Sequence, residues 1–224
     1  MYDSYKRKTG ATQSPNYYAK CDVTSDVVNS FYEQPGYVEC YKNADPSMPY
    51  EIIVMDGDKQ DKTVGYKRLL SYPYSEVQFA IGDYVHFDYG GDASIWLLTT
   101  LDKQFTFEVK GRIFLCEHAL NWNIGATPTS YPCYISDSLI SFQDEQMKNV
   151  ALPSGNIVAY AQNNLATDQI TVNTRFVIGK NTWKVLQIKD LLSAGLIGFI
   201  MTYDAKDASD TSTTANNNTT IPWT

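Results

Sequence analysis

Two cysteines and two histidines are the residues of this sequence with the clearest potential for chemistry. Cys116 and His118 are two positions apart in an apolar stretch, and Cys133 and His86 complete the set. Thiolate and imidazole are preferred zinc ligands, and residues i and i+2 of a strand share a face, so the set could surround a zinc ion. Structural zinc sites usually contain closely paired cysteines, which this set lacks. We interpret the four residues as buried thiols and hydrogen-bonded imidazoles, and we predict no metal site.

Catalytic chemistry has few candidates in this chain. A nucleophilic Cys116 would need His118 within hydrogen-bond reach of its sulfur. Side chains two residues apart on a strand project side by side and do not point toward each other. Two pairs of acids could act as glycosidase carboxylates, Asp56 with Asp58 and Asp102 with Glu108, but we interpret them as turn and surface residues. The sequence contains no nucleophile elbow, phosphate-binding glycine loop or His-Glu-x-x-His pattern. We therefore predict no enzyme and no cofactor.

The central part of the chain, residues 77–122, is predicted to form a β-meander. Gly82-Asp83 interrupts an apolar segment, residues 84–87 form a first arm, and the glycine-aspartate cluster at 88–92 reverses the chain. Three more arms have strand-like composition, at residues 94–100, 104–110 and 112–122.

A second hairpin pattern occupies residues 170–203. An apolar arm at 173–178 meets a glycine turn, a return arm follows at 182–190, and a final strand is predicted at 196–203. We interpret the two patterns as hairpin units of one β-rich body. The predicted fold class is all-β, a β-barrel or β-sandwich with a short N-terminal helix and extended termini.

The remaining segments are assigned by local signals. Residues 1–20 are predicted to be an N-terminal arm, residues 21–203 the β-rich body and residues 204–224 a polar C-terminal tail. A short helix capped by Thr24-Ser25-Asp26 is expected before Pro35-Gly36. Further strands are expected at residues 37–41, 51–55, 131–135 and 157–161. Loops are expected at residues 44–49 and 125–130, a loop or a short helix at 136–149, and a loop or a helical turn at 190–195.

The composition indicates a folded protein without general affinity for nucleic acid. A hydrophobic fraction of 43% argues against disorder, and a net charge of −7 opposes the neutralisation of phosphates. The basic cluster Lys6-Arg7-Lys8 is interpreted as part of a solvated tail. The chain starts without the apolar segment of a secretory signal, and its longest apolar run, residues 191–201, is too short to span a membrane. We expect a soluble protein made in a cytoplasm, with reduced cysteines.

Several segments resemble structural proteins of tailed bacteriophages. The central match consists of residues 81–85, 96–98 and 110–122, followed by Tyr131-Pro132-Cys133. Connector-type proteins are also similar to residues 25–32 and 37–39, and head-closure or head–tail joining proteins to residues 173–179 and 183–185. Glu117 is a departure, since a polar amide is expected before the histidine.

The resemblance implies a β-barrel or sandwich that assembles into a homo-oligomeric ring in the neck, between portal and tail, without catalysis or cofactor. Its partners would be portal or adaptor and tail proteins, reached through extended termini and strand edges. Genome DNA would pass without sequence-specific binding, because an acidic channel wall repels it. The protein would be a virion component assembled in the host cytoplasm, with no membrane partner.

Two other functions stay open. Tyrosine and tryptophan on sheet faces can stack on sugar rings, which fits a tail or baseplate protein with a carbohydrate-binding β-sandwich. A Cys/His or zinc-dependent enzyme is the more distant alternative. A glycan array tests the first, and substitution of Cys116 and His118 tests the second.

Overall fold

A computed structural model describes most of the chain from residue 30 to residue 205. The described residues are 30–43, 45–56, 66–71, 79–89, 91–102, 109–124, 127–140, 142, 149–193 and 195–205. Within them the chain forms fourteen strands, a helical turn at residues 30–32 and a 3-10 helix at Thr167–Gln169. The predicted all-β fold class is confirmed. The predicted arm at 1–20, most of the predicted helix, Asp58, Glu108 and the tail beyond residue 205 lie outside the described residues.

The first half of the described chain is a closed six-stranded barrel. Its strands are β1 (Tyr37–Lys42), β2 (Asp45–Asp56), β3 (Tyr66–Ser71), β4 (Tyr84–Tyr89), β5 (Asp92–Asp102) and β6 (Val109–Leu115). They are hydrogen-bonded in the order β1-β2-β3-β6-β5-β4, and the ring closes where Tyr41 and Lys42 pair with His86 and Val85. The barrel interior is apolar and consists of Cys40, Ile52, Leu69, Phe79, Val85, Phe87, Trp96, Leu98 and Ile113.

The second half is a six-stranded antiparallel sheet that is nearly closed. Its strands are β7 (His118–Ile124), β8 (Thr127–Ser136), β11 (Asn156–Gln162), β12 (Arg175–Ile178), β13 (Asn181–Ser193) and β14 (Leu196–Asp204), in the order β12-β13-β14-β11-β8-β7. A separate pair consists of β9 (Ser138–Ile140) and β10 (Asn149–Ala151). The two end strands of the large sheet meet through Trp122 and Phe176, whose ring centroids are 6.3 Å apart.

A third core joins the barrel to the second sheet. Tyr84, Leu97 and Phe114 on the barrel exterior pack against residues of the second half, namely Ile140, Phe142, Val158, Tyr160 and Leu196. This shared core explains two uninterrupted apolar runs. In β5 and in β11 both faces are buried, one inside its own barrel or sheet and one between the halves.

Several boundaries predicted from local signals are wrong. The predicted loop at 44–49 belongs to β2 from Asp45 onward, because the backbone pairs with β1 across a register shift between Tyr41 and Lys42. The predicted turn at 190–195 is shorter, since Ser193 pairs with Leu196 and β13 continues to Ser193. Similarly, β8 begins at Thr127 and β9 at Ser138, inside segments expected to be loops or short helices.

The predicted strand at 112–122 is divided between the two halves. β6 ends at Leu115 and β7 begins at His118, so the chain leaves the barrel at Cys116-Glu117. Both predicted hairpins exist: β4 pairs antiparallel with β5, and β12 with β13. That residues 21–203 form a single body stays a prediction.

Candidate functional site

The cysteines and histidines predicted as possible ligands do not form a site. Cys116 packs against the shared core and Cys133 lies in the core of the second sheet, while His118 is exposed and His86 is on the barrel opposite Tyr41. The prediction that Cys116 and His118 share one face of a strand is wrong, because β6 ends at Leu115 and β7 begins at His118. Within the described ranges no three His, Cys, Asp or Glu side chains are grouped around a possible metal position.

The thiols of Cys116 and Cys133 are also in the wrong ionisation state for nucleophilic attack. Burial raises the pKa of Cys133 to about 12 and raises the pKa of Cys116 well above its ordinary value. The thiolate is the nucleophilic form of cysteine, so both side chains are protonated, unreactive thiols at neutral pH. Of the predicted acid pairs, Asp56 forms an ion pair with Lys67, which lowers its pKa, and Asp102 lies opposite Lys110 on β6.

We expect the stability of the fold to decrease in alkaline solution. Burial raises the pKa of Cys40 and of Cys133 to about 12, above the value of a cysteine in the unfolded chain. A raised pKa stabilises the fold at lower pH, and the stabilisation is lost as pH rises from the unfolded pKa through the folded one. The free energy of unfolding should fall above about pH 9 by roughly 1 kcal/mol per pH unit for each thiol. Urea unfolding between pH 7 and 11 measures this slope, and Cys40→Ala should reduce it; an unchanged slope would contradict the assignment.

Two glycines bring the backbones of the two halves into direct contact. Gly82 precedes β4 and Gly195 forms the turn between β13 and β14, with φ values of 93° and 91°. A Cβ atom on Gly82 would overlap the carbonyl oxygen of Gly195, and one on Gly195 would overlap the carbonyl oxygen of Ile81. Only glycine permits both the backbone conformation and the close approach. The contact fixes the second sheet against the entrance to β4.

A polar network surrounds this contact on the barrel side. Asp83 is buried, pairs with Lys42 at 2.9 Å, and accepts hydrogen bonds from the Asn43 side chain at 3.0 Å and the Ala80 amide at 2.6 Å. Asn43, with a φ of 50°, also accepts a hydrogen bond from the Tyr84 amide at 2.8 Å. The buried carboxylate is thus compensated by a cation and by donors, as burial of a charge requires.

The Tyr84 side chain crosses from the barrel to the second sheet. Its hydroxyl donates to the carbonyl oxygen of Pro132 at 2.6 Å and accepts from the amide of Gln162 at 3.2 Å. Burial is the main cause that raises the pKa of Tyr84 well above its ordinary value, and the nearby Cys116 contributes less. The hydroxyl therefore stays protonated and joins three strands, β4, β8 and β11.

The loop after β11 continues from this junction and presents an exposed leucine. The Asn164 side chain accepts hydrogen bonds from the amides of Ala166 and Thr167, and the Thr167 hydroxyl donates to the Gln162 carbonyl. Thr167 is fully buried, whereas Leu165 is 86% exposed. The loop is thus held by internal hydrogen bonds while its apolar side chain points to solvent, which suits a contact with another protein.

A tyrosine–glutamate patch lies on the barrel exterior at β1, β2 and the helical turn before them. It is defined here as Tyr32, Tyr37, Glu39 and Glu51. Both tyrosine hydroxyls donate to the Glu51 carboxylate, at 3.0 Å from Tyr32 and 2.9 Å from Tyr37. The two tyrosine rings are 5.4 Å apart, and Phe31 packs edge-on against each. Partial burial and the nearby carboxylates raise the pKa of Tyr37 to about 12.

The two glutamates of the tyrosine–glutamate patch face each other. Glu39 of β1 is in register with Glu51 of β2, both are exposed, and within the described residues neither forms an ion pair. Like charges directly opposite in an antiparallel pair are destabilising. Alternation along β1 places Tyr37 and Glu39 on one face, which sequence analysis could indicate. Glu51 could not be assigned to the same patch, because the β1–β2 register depends on strand residues that were expected to be a loop.

We expect Glu39→Gln to raise the free energy of unfolding by about 0.2–1 kcal/mol, because it removes the repulsion with Glu51. Urea unfolding of the variant measures the change. Glu33→Gln is the matched control, since Glu33 is exposed in the turn before β1 and loses the same charge. Equal effects of the two substitutions would contradict a specific repulsion between Glu39 and Glu51.

The chain has only weak similarity to solved structures and matches no curated protein. The chain is similar to MrkH, described as a c-di-GMP-dependent transcription regulatory factor, with 7% identity, a TM-score of 0.24, and coverage of 84% of this chain and 86% of that chain. The K. pneumonia MrkH–c-di-GMP complex matches with 8% identity and a TM-score of 0.25, over 84% of this chain and 88% of that chain. These scores are too low to support an argument about function. The described part of the chain contains no helix of the length and apolarity needed to cross a membrane.

A family comparison is more informative. Residues 118–202 match the family model described as the YomX C-terminal domain. This is a phage-type protein family, of the Bacillus phage SPBc2-like kind. The match begins at the first residue of β7 and ends within β14, so it covers the second sheet and stops short of the barrel. The second half of the chain is therefore similar to the YomX C-terminal domain, and this similarity indicates a phage-related protein.

Proposed function

We propose that the protein is a structural subunit of a tailed-phage particle, forming an oligomeric ring in the neck that joins or closes the head onto the tail and lets DNA pass. The observation that carries the proposal is the match of residues 118–202, nearly all of the second sheet, to a phage-type domain. The resemblance of residues 25–32 and 37–39 to connector-type proteins, and of residues 173–179 and 183–185 to head-closure or head–tail joining proteins, supports the position in the neck. Portal or adaptor proteins and tail proteins of the same particle are the proposed partners, and the protein is proposed to act without catalysis.

The junction between the halves supports a mechanical role. The shared core, the Gly82–Gly195 contact and the Tyr84 hydroxyl fix the barrel against the second sheet. A subunit of this kind keeps its shape when neighbours or DNA exert force on it. A ring also requires two different contact surfaces on each subunit. The tyrosine–glutamate patch on the barrel is proposed as one of these surfaces.

The charge of the chain supports passage of DNA. The formal net charge is −7, so a channel lined by these subunits would repel phosphates and leave DNA free to slide. A ring whose inner wall was strongly basic would contradict this part of the proposal.

Immunogold labelling of purified particles tests the position. An antibody against the protein should place gold at the junction of head and tail. Labelling at the tail tip, or particles without the protein, would contradict the proposal.

A second candidate is a tail or baseplate protein that binds carbohydrate through the tyrosine–glutamate patch. The favouring observation is that Tyr32 is 51% exposed beside the Glu51 carboxylate. An aromatic ring can stack on a sugar face while a carboxylate accepts hydrogen bonds from sugar hydroxyls. A glycan array with the native protein and with Tyr32→Ala separates the candidates. Specific binding that Tyr32→Ala removes would favour the carbohydrate function, and a blank array would exclude it for the glycans tested.

A further inference from the structure

We propose that the tyrosine–glutamate patch binds the Lys6-Arg7-Lys8 segment of a neighbouring copy, so that each N-terminal arm ties one subunit to the next. The inference rests on the proposed function for its ring geometry. The binding itself rests on the chemistry of the patch. It assigns a ligand class, a run of ammonium and guanidinium groups, to a surface on the outside of the barrel.

The patch combines the two features that recognise such cations. Glu39 and Glu51 place two carboxylates side by side across β1 and β2, and Tyr32 and Tyr37 place ring faces beside them. Tyr41 extends the same face of β1 by one more aromatic residue and is 37% exposed. Lysine and arginine are attracted both to carboxylates and to aromatic faces. A bound cation would also offset the repulsion between the two glutamates.

The occupant is chosen by charge and by the length of chain available. Lys6-Arg7-Lys8 is the one run of three consecutive basic residues in the whole sequence. Residues 9–29 separate it from the helical turn at residues 30–32, which forms one side of the patch. At about 3.3–3.6 Å per extended residue, this spacer can reach well beyond its own barrel. In the proposed ring the patch of the next copy is the partner, and the mixing experiment below tests the patch of the same copy as the alternative.

Exchange of arms closes a ring without any further contact. Each copy offers one arm and one patch, so the interaction is head-to-tail and repeats around a closed circle. Within a ring each arm is held close to the neighbouring patch, which raises its effective concentration. Binding of a single arm can therefore be weak while the assembly is stable.

A labelled peptide tests the patch directly. The probe is a fluorescein-labelled peptide of residues 1–12, and the receptor is the full chain carrying Lys6→Glu, Arg7→Glu and Lys8→Glu, so that its own arm cannot compete. We expect saturable binding by fluorescence anisotropy. Adding Glu39→Gln and Glu51→Gln to the receptor should weaken binding at least about tenfold. A peptide in which the three basic residues are glutamine should not bind.

A matched receptor controls for general electrostatics. Asp88→Asn with Asp92→Asn removes the same charge at the exposed tip of β4 and β5 and leaves the patch intact. This receptor should bind the peptide within about twofold of the parent. Absence of binding, or equal weakening by the two pairs of substitutions, would overturn the proposal.

Mixing two variants tests exchange between copies. One chain carries Glu39→Gln and Glu51→Gln with an intact arm, and the other carries the three arm substitutions with an intact patch. Sedimentation velocity at concentrations above the Kd of the peptide should show pairs in the mixture and monomers in each separate solution. Monomers in the mixture would overturn exchange between copies. Concentration-independent protection of Lys6-Arg7-Lys8 from trypsin in the native chain would then place the arm on its own copy. Pairs combined with immunogold label at the tail tip would keep arm exchange and reject the neck.

Discussion

Gly195→Ala is expected to lower the free energy of unfolding by at least about 3 kcal/mol, because alanine fits neither the backbone conformation nor the space at this position. The residue has a φ of 91°, and an added Cβ would overlap the carbonyl oxygen of Ile81 in the other half of the molecule. A backbone atom cannot move aside as a flexible side chain can. Urea unfolding followed by circular dichroism measures the loss.

Gly155→Ala is the matched control for this substitution. Gly155 has a similar φ of 85°, but nothing lies within 4 Å of the position of an added Cβ. It should lose only the conformational part, on the order of 1–2 kcal/mol. If the two variants were equally stable, the close contact between Gly82 and Gly195 would not contribute to the junction.

Phe114→Ala is expected to cost about 3–5 kcal/mol and to weaken both halves of the molecule together. Phe114 is fully buried on the barrel exterior, and its ring lies 4.8 Å from that of Tyr134 and 5.6 Å from that of Phe142. Its removal leaves a cavity between barrel and sheet. Hydrogen exchange measured by mass spectrometry should show faster exchange in β5 and in β11.

Phe176→Ala provides the comparison for Phe114→Ala. Phe176 is buried in the core of the second sheet and has no place in the shared core. If the halves unfold as one unit, both variants should accelerate exchange across the barrel and the sheet. If Phe114→Ala affected the barrel alone, the shared core would not couple the halves, and the predicted single body of residues 21–203 would be wrong.

Alternating and apolar segments were sufficient to predict most strands. Residues 84–87, 157–161 and 196–203 are strands because β-branched and aromatic side chains suit a pleated surface. The sequence could not indicate that β5 and β11 are buried on both faces, since one face of each strand is buried by the packing of one half against the other. The glycine turn at Gly82 was visible in sequence, but its contact with Gly195 was not.

The predicted strand boundaries are wrong where pairing with a neighbouring strand overrides the local sequence signals. Proline at positions 46 and 49 favoured a loop, yet β2 includes both because β1 lies beside it. Cys116 and His118 read as one strand, yet the chain passes between halves there. Only part of the tyrosine–glutamate patch could be predicted from the sequence, because the rest depends on tertiary pairing. Tyr37 and Glu39 follow from alternation, whereas Glu51 and Tyr32 join them through strand register and through the helical turn.

The most direct test of the ring proposal is mass photometry of the native chain over a range of concentrations, with and without the purified portal of the same phage. We expect a ring of defined mass, formed alone or on the portal, and loss of that ring with Glu39→Gln and Glu51→Gln. A monomer at every concentration in the presence of portal, or a stable trimer indifferent to portal, would contradict it. The trimer would favour a tail fibre or receptor-binding protein.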